Sequence, residues 1–248
     1  MMVINKKLFI LSAVLNLAVF SAFALAGEEA KDNKLEYKLT ASHYSTESIK
    51  ANDINLRASK SNQTFWLGYY VESTSNFSQL RAGYERTDEL PYTHLTSSLQ
   101  IAEHGFLGWS ENVEIGAPFF ALAGIGRTNL RPYDNINFDP NDAITYGVGW
   151  RNAEDTSISL FTVKDDRVNN GQQITHLVFR QSFERAQRLT LDIFRKSGPA
   201  DDAFGESIRA TGSAITYDVS KYSLRFAYEP KVNFSQESML RLSVALKF

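Results

Sequence analysis

From residue 34 onward, apolar and polar positions alternate. Leu35, Tyr37, Leu39 and Ala41 share one parity, and Glu36, Lys38, Thr40 and Ser42 share the other. The pattern returns along the chain. Ile54, Leu56 and Ala58 oppose Asn55, Arg57 and Ser59; Leu80, Ala82 and Tyr84 oppose Arg81, Gly83 and Glu85. Ile144, Tyr146, Val148 and Trp150 oppose Thr145, Gly147, Gly149 and Arg151, and Tyr222, Leu224, Phe226 and Tyr228 oppose Ser223, Arg225, Ala227 and Glu229. A period of two places one set on each face of a β-strand, and no window shows a helical period. Two stretches give no clear faces: 119–127, apolar on both parities with Gly124 and Gly126 inside it, and 156–165. The segment 207–218 predicts a weaker strand rich in small residues.

Counting these segments gives about 14 strands of roughly 9–11 residues, or about 12 if weak pairs merge. Connection lengths are uneven. Those near 60–63, 87–91, 116–118, 152–155, 183–187 and 219–221 are short, whereas 45–52, 128–142, 166–172, 197–206 and 230–236 are longer. In a 14-strand reading the short ones fall at one end and the longer ones at the other, the asymmetry of a membrane barrel with short periplasmic turns and longer outer loops.

The ends of the chain sharpen this. Lys6 and Lys7 precede an apolar run from Leu8 to Phe23, and Ala24-Leu25-Ala26 offers a cleavage site before Gly27. Residues 1–26 thus read as a secretory signal peptide, 27–33 as a polar periplasmic lead-in, and 34–248 as one barrel domain. In the last segment Leu240, Leu242, Val244, Leu246 and Phe248 form an apolar wall opposite Arg241, Ser243, Ala245 and Lys247. This segment resembles the closing strand of Gram-negative outer-membrane β-barrel proteins, whose final aromatic is read by the barrel assembly machinery. The resemblance implies an all-β, transmembrane, antiparallel up-and-down barrel in the outer membrane. It also implies outer-membrane lipids and lipopolysaccharide as surroundings.

Composition adds constraints. The 248-residue chain is 43% hydrophobic, which suits a barrel in which alternate residues face lipid. Removing Lys6 and Lys7 with the leader leaves 24 basic against 28 acidic residues, so no basic excess favours nucleic acid. The absence of cysteine excludes disulfides and thiolate chemistry.

The wall opposite the apolar one carries charges in nearly every strand: Lys38, Arg57, Glu72, Arg81, Glu85, Glu114, Arg151, Arg180, Arg188, Asp192, Arg225, Glu229 and Arg241. These are the candidate lumen-lining residues. They suit either a narrow small-solute pore with charge-tuned selectivity or a filled interior of paired charges supporting a structural or surface-interaction barrel. A slight basic excess points to anionic solutes. No resident cofactor is expected. Asp139, Asp142, Asp165 and Asp166 in the longer connections are carboxylates of the kind that bind Ca2+, and equally the residues that make turns. Arg127 and Arg131 suit lipopolysaccharide phosphates. His43 and Ser45, two apart and so on one face of the first strand, could pair a base with a hydroxyl. This His-x-Ser resembles the catalytic pair of outer-membrane phospholipase A and lipid A deacylase families; Thr46 stands where those families commonly carry Asn. The resemblance implies an alternative role as an acyl hydrolase.

Overall fold

The computed structural model describes residues 34–133, 141–153, 156–184, 186–201 and 206–248. The expected leader 1–26, the expected lead-in 27–33 and Asp139 lie outside the described residues. Fourteen strands follow one another: β1 (Glu36–Ser45), β2 (Lys50–Lys60), β3 (Gln63–Glu72), β4 (Ser78–Leu90), β5 (Thr93–Ala102), β6 (Phe106–Ile115), β7 (Phe119–Thr128), β8 (Ala143–Arg151), β9 (Ser157–Asp165), β10 (Gln173–Phe183), β11 (Gln187–Pro199), β12 (Ser207–Val219), β13 (Tyr222–Glu229) and β14 (Met239–Lys247). Each pairs antiparallel with its sequence neighbours, and β14 pairs with β1, so the sheet closes into a barrel. Closure leaves no sheet edge, the condition for taking backbone amides into lipid.

The seam shows how local pattern fixes register. Ala41 faces Val244, Ser42 faces Ser243 and His43 faces Leu242, so the apolar parity of β14 continues that of β1. A one-residue slip would invert every side chain of one strand. Tyr37 and Phe248 exchange both backbone hydrogen bonds, at 2.9 and 3.0 Å, and their rings stack with centroids 5.6 Å apart.

The apolar parity faces outward. Leu240, Leu242, Val244 and Phe248 are among the exposed large hydrophobics, as are Leu39, Ile54, Leu177, Ile193, Leu224 and Phe226. An exposed apolar belt of this extent needs lipid around it. Two acids among the described residues interrupt it, Asp88 opposite Leu95 of β5 and Glu111. Glu111 shares the outward parity of Trp109 and Val113 and accepts a hydrogen bond from Ser97 Oγ at 2.6 Å.

The stretches that gave no clear faces in the sequence now have them. In β7, Phe120 turns inward and is buried while Phe119 is exposed. A side chain at Gly149 would overlap the Phe120 ring, so glycine there makes room for an inward aromatic. In β9, Phe161 and Val163 share the inward parity, and Thr162 and Lys164 face out. There the polarity of the two faces is partly inverted: the Phe161 ring stacks on His176 of β10, and Phe161 and Val163 border a cavity in the lumen.

The two ends of the barrel differ. Connections 61–62, 91–92, 116–118, 152–156, 184–186 and 220–221 lie at one, the turn end, together with the start of β1 and the end of β14. The other, the loop end, carries 46–49, 73–77, 103–105, 129–142, 166–172, 200–206 and 230–238.

Candidate functional site in the barrel lumen

The lumen is built by the inward parity, and its two sides differ. On the β10–β14 and β1–β3 side the loop end is filled. The 230–238 connection folds into the mouth instead of extending away. Lys231, Asn233 and Phe234 all adopt left-handed backbone, with φ of 52°, 51° and 55°, which curls Val232–Phe234 into a single 3-10 turn. Phe234 is 0% exposed and packs with Ile174, Phe194, Ala200 and Ile208. Val232 packs on the other side with Tyr44, Ala51, Tyr70 and Met239, flanked by Ile49 and Phe77. One short loop thereby bridges inward residues of β10–β12 to those of β14, β1, β2 and β3. Its backbone is tied down by Val232 N donating to Glu237 O at 2.9 Å and Asp201 N donating to Phe234 O at 3.0 Å.

An ion pair sits under this lid. Lys196, 0% exposed, donates to the Glu229 carboxylate and, at 3.3 Å, to Lys231 O. Beside it His176 Nδ1 lies 3.1 Å from both Asp192 oxygens, and the His176 ring stacks on Phe161 at 4.9 Å. At the loop itself, the Glu237 carboxyl is held below the usual carboxylate range, chiefly by a hydrogen bond from the Thr46 side chain and also by Ser48.

On the β4–β9 side the wall mixes polar and apolar side chains and leaves open space. A cavity of about 510 Å3 is lined there by residues including Glu89, Thr96, Asn112, Glu114, Thr145 and Arg151. Arg151 pairs with Glu114 and lies 4.1 Å above the Phe120 ring. Tyr133 leans in at its loop end against Phe106, with centroids 4.4 Å apart, and Arg81 lies 5.8 Å from the ring centroids of Tyr133 and Tyr70.

Each charged residue read from the alternation has a place in this scheme. Arg81 pairs with Asp53, Arg188 with Asp218 at 2.9 Å and Arg57 with Glu85 at 3.8 Å. Glu72 accepts from Tyr70 Oη and Ser75 Oγ. Lys38 faces Lys247 on one side and Arg57 on the other, three cations at directly opposed positions. Arg180 shares the inward parity of His176 and Val178 and is exposed. Arg225 and Arg241 lie on adjacent strands, against Ser243 and Ala227 respectively. Asp53, Lys196, Asp218 and Phe234 did not stand out in the sequence. Asp53 shares a parity with Arg57 and Lys196 with Asp192, and Asp218 stands opposite Arg188. Phe234 carried no signal, because its role comes from a loop turning inward.

The turn-rich acids are occupied by protein donors. Asp142 accepts from Thr128 and from Arg167 at 2.9 Å. Asp165 accepts the backbone amides of Arg167 and Val168 at 2.9 Å each, and both oxygens of Asp166 bind Arg127, at 3.0 and 2.8 Å. Among the described residues no group of three or more His, Asp or Glu is placed to hold a metal ion.

His43 and Ser45 share the outward face of β1, with Tyr44 buried inward between them. His43 Nδ1 lies 3.0 Å from Asn52 Oδ1 on β2. A shallow, mainly apolar groove runs beside the pair, lined by Ala41, Ile54, Leu242 and Val244.

Comparison with solved structures agrees with this architecture. Outer membrane protein Omp33 of Acinetobacter baumannii matches with a TM-score of 0.56 at 10% identity, over 88% of this chain and 100% of that one. The fold is that of an outer-membrane β-barrel. Further matches are the Rh. blastica porin (TM-score 0.48, 10% identity, 87% of this chain and 99% of that one) and OmpF of Salmonella typhi solved with daunomycin (TM-score 0.46, 12% identity, 88% and 98%). No family model and no curated protein matches the sequence.

Proposed function

We propose that this barrel is an outer-membrane pore for small solutes, narrowed at the loop end by the 230–238 connection. The observation that carries this is the cavity of about 510 Å3 along the β4–β9 wall, lined by polar and apolar side chains, on the side of the lumen away from the packed 230–238 loop. Charges of both signs line the route, and charged lumen residues tune selectivity in channels. Single-channel recording of folded protein in planar bilayers tests it. Discrete openings are expected, with larger unitary conductance in Phe234→Ala, which removes the largest side chain of the plug at a stability cost of about 3–5 kcal/mol. Silence from folded wild type and variant alike would remove the pore reading.

In this reading the turn end faces the periplasm and the Leu240, Leu242, Val244, Leu246 and Phe248 row serves the barrel assembly machinery. Lipopolysaccharide is the expected neighbour at the loop end. Arg127 is engaged by Asp166, whereas Lys164, Arg195 and Arg209 share the lipid-facing parity there and suit phosphate.

A second reading rests on the contact between His43 and Asn52. An imidazole oriented through Nδ1, with a hydroxyl two residues away on a lipid-facing wall, has the parts of an acyl hydrolase. The two strands supply the base and its orienting group side by side, as His43 faces Asn52 in register. Phospholipase activity in mixed micelles, with and without Ca2+, is the assay. Activity that survives Ser45→Ala would dispose of the assignment.

A further inference from the structure

We infer that the lumen holds a binding site for a small oxyanion, a carboxylate or a phosphate, between Arg225 and Arg241. For transport this builds on the pore reading, but the site itself does not need it. The two guanidiniums project from neighbouring strands of the same inner wall, two residues apart in register: Arg225 is opposite Ser243, and Arg241 is two positions nearer the loop end. Most other inward arginines described above have a carboxylate. Arg81 has Asp53, Arg151 has Glu114, Arg188 has Asp218 and Arg57 has Glu85. Arg225 and Arg241 make no ion pair among the described residues. The nearest acid on their strands, Glu229, is engaged by Lys196.

Burial makes this arrangement costly. Arg225 Nε and Arg241 Nη1 are both shielded from solvent, and neither has an acceptor among the described residues. A buried donor left unsatisfied costs about 1–3 kcal/mol, and more when charged. Arg225 and Arg81 are both near enough to Arg241 to repel it, and Glu229, already engaged by Lys196, is the acid near enough to offset them.

The surroundings hold the pair in place. Arg241 Nε donates to Ser243 Oγ at 3.1 Å, and Ser243 is in turn held by Ser42 Oγ at 2.8 Å across the seam. The Arg241 guanidinium lies 4.9 Å from the centroid of the Tyr44 ring, which also belongs to the plug cluster. A planar fork anchored on one edge and stacked on a ring offers its remaining N–H groups to an oxyanion. Toward the turn end Lys247, Lys38 and Arg57 stand in one row, and with Arg57 paired to Glu85 an anion leaving the pair meets Lys247 and Lys38.

The test uses the folded full-length barrel in detergent, titrated with sodium phosphate or sodium acetate against sodium chloride at matched ionic strength. Binding is followed by the rise in Tm. Phosphate or acetate is expected to stabilise wild type beyond chloride, the larger response naming the preferred oxyanion. Arg225→Gln and Arg241→Gln should each weaken binding about tenfold, the loss expected for one charge-assisted hydrogen bond. Arg225→Lys with Arg241→Lys, which keeps both charges, should retain most of the response, and it serves if the glutamine variants fold poorly. A response equal to that of chloride, or one changed less than about twofold by the glutamine variants, overturns the site. In bilayers under a KCl gradient, wild-type reversal potential should favour chloride and shift toward potassium in the double glutamine variant. Silent bilayers with an intact phosphate or acetate response would remove the pore and leave the site standing. Conduction with an unchanged reversal potential and no oxyanion response would do the reverse.

Discussion

The two sides of the lumen obey the same period-two rule and end in opposite states. On the β4–β9 side, ion pairs such as Arg151–Glu114 are about a third exposed and border a cavity. On the β10–β14 side, Lys196 is fully buried beneath Phe234 and Val232, and its Glu229 partner is nearly so. A charge pair in water is worth little, whereas one taken out of water depends on its partner. The same residue types therefore keep a lumen wet on one side and fasten a loop on the other.

The contrast can be broken most directly at Lys196. Lys196→Met strands the Glu229 carboxylate under the plug, and a loss of about 3–5 kcal/mol is expected in equilibrium unfolding from detergent. Adding Glu229→Leu should recover much of that loss, since an apolar replacement of a buried pair is often neutral. No recovery would mean that the loop is held by something other than charge pairing. Arg151→Met on the open side should cost only about 0–1 kcal/mol. A cost equal to that of Lys196→Met would erase the distinction between the two sides.

The smallest expected effect lies at the rim. The Glu237 carboxyl is depressed by its hydrogen bonds from Thr46 and Ser48, so its folded pKa lies below its unfolded one. Its contribution is fully present above the unfolded carboxylate pKa of about 4.3 and is lost as pH falls through the lower folded value. Loosening of the 230–238 loop should therefore appear in acid, seen as a lower protection factor of the Ser48 amide, its exchange rate being taken relative to the intrinsic rate at each pH. Glu237→Gln should flatten that dependence. A Ser48 protection factor that stays independent of pH in the wild type would remove Glu237 as an anchor.

Much of the wall was legible in advance. Strand number, short turns at one end and the outward row Leu240, Leu242, Val244 follow from alternation. The local reading weakened at 119–127 and 156–165, where Phe120, Phe161 and Val163 point inward. Their apolar character contradicts the usual polar-in pattern, and their partners come from the adjacent strand: Phe120 lies under Arg151 and Phe161 stacks on His176. The turn-rich acids drew attention as Ca2+ ligands. In the fold Asp142, Asp165 and Asp166 are acceptors for Thr128, Arg167, Val168 and Arg127, because β7 and the 166–172 connection bring those donors to them.

What the sequence by itself determined is the identity of the faces wherever apolar and polar positions alternate, since the direction of a strand side chain is set within two residues. Which inward groups meet was decided only by tertiary structure. Closing β14 on β1 brings Ser243 to Ser42, residues 201 positions apart, and folding 230–238 inward sets Phe234 against Ile174 and Ile208. Such contacts depend on the stagger of a closed sheet and on the path of a loop across a space, and neither leaves a period in the chain.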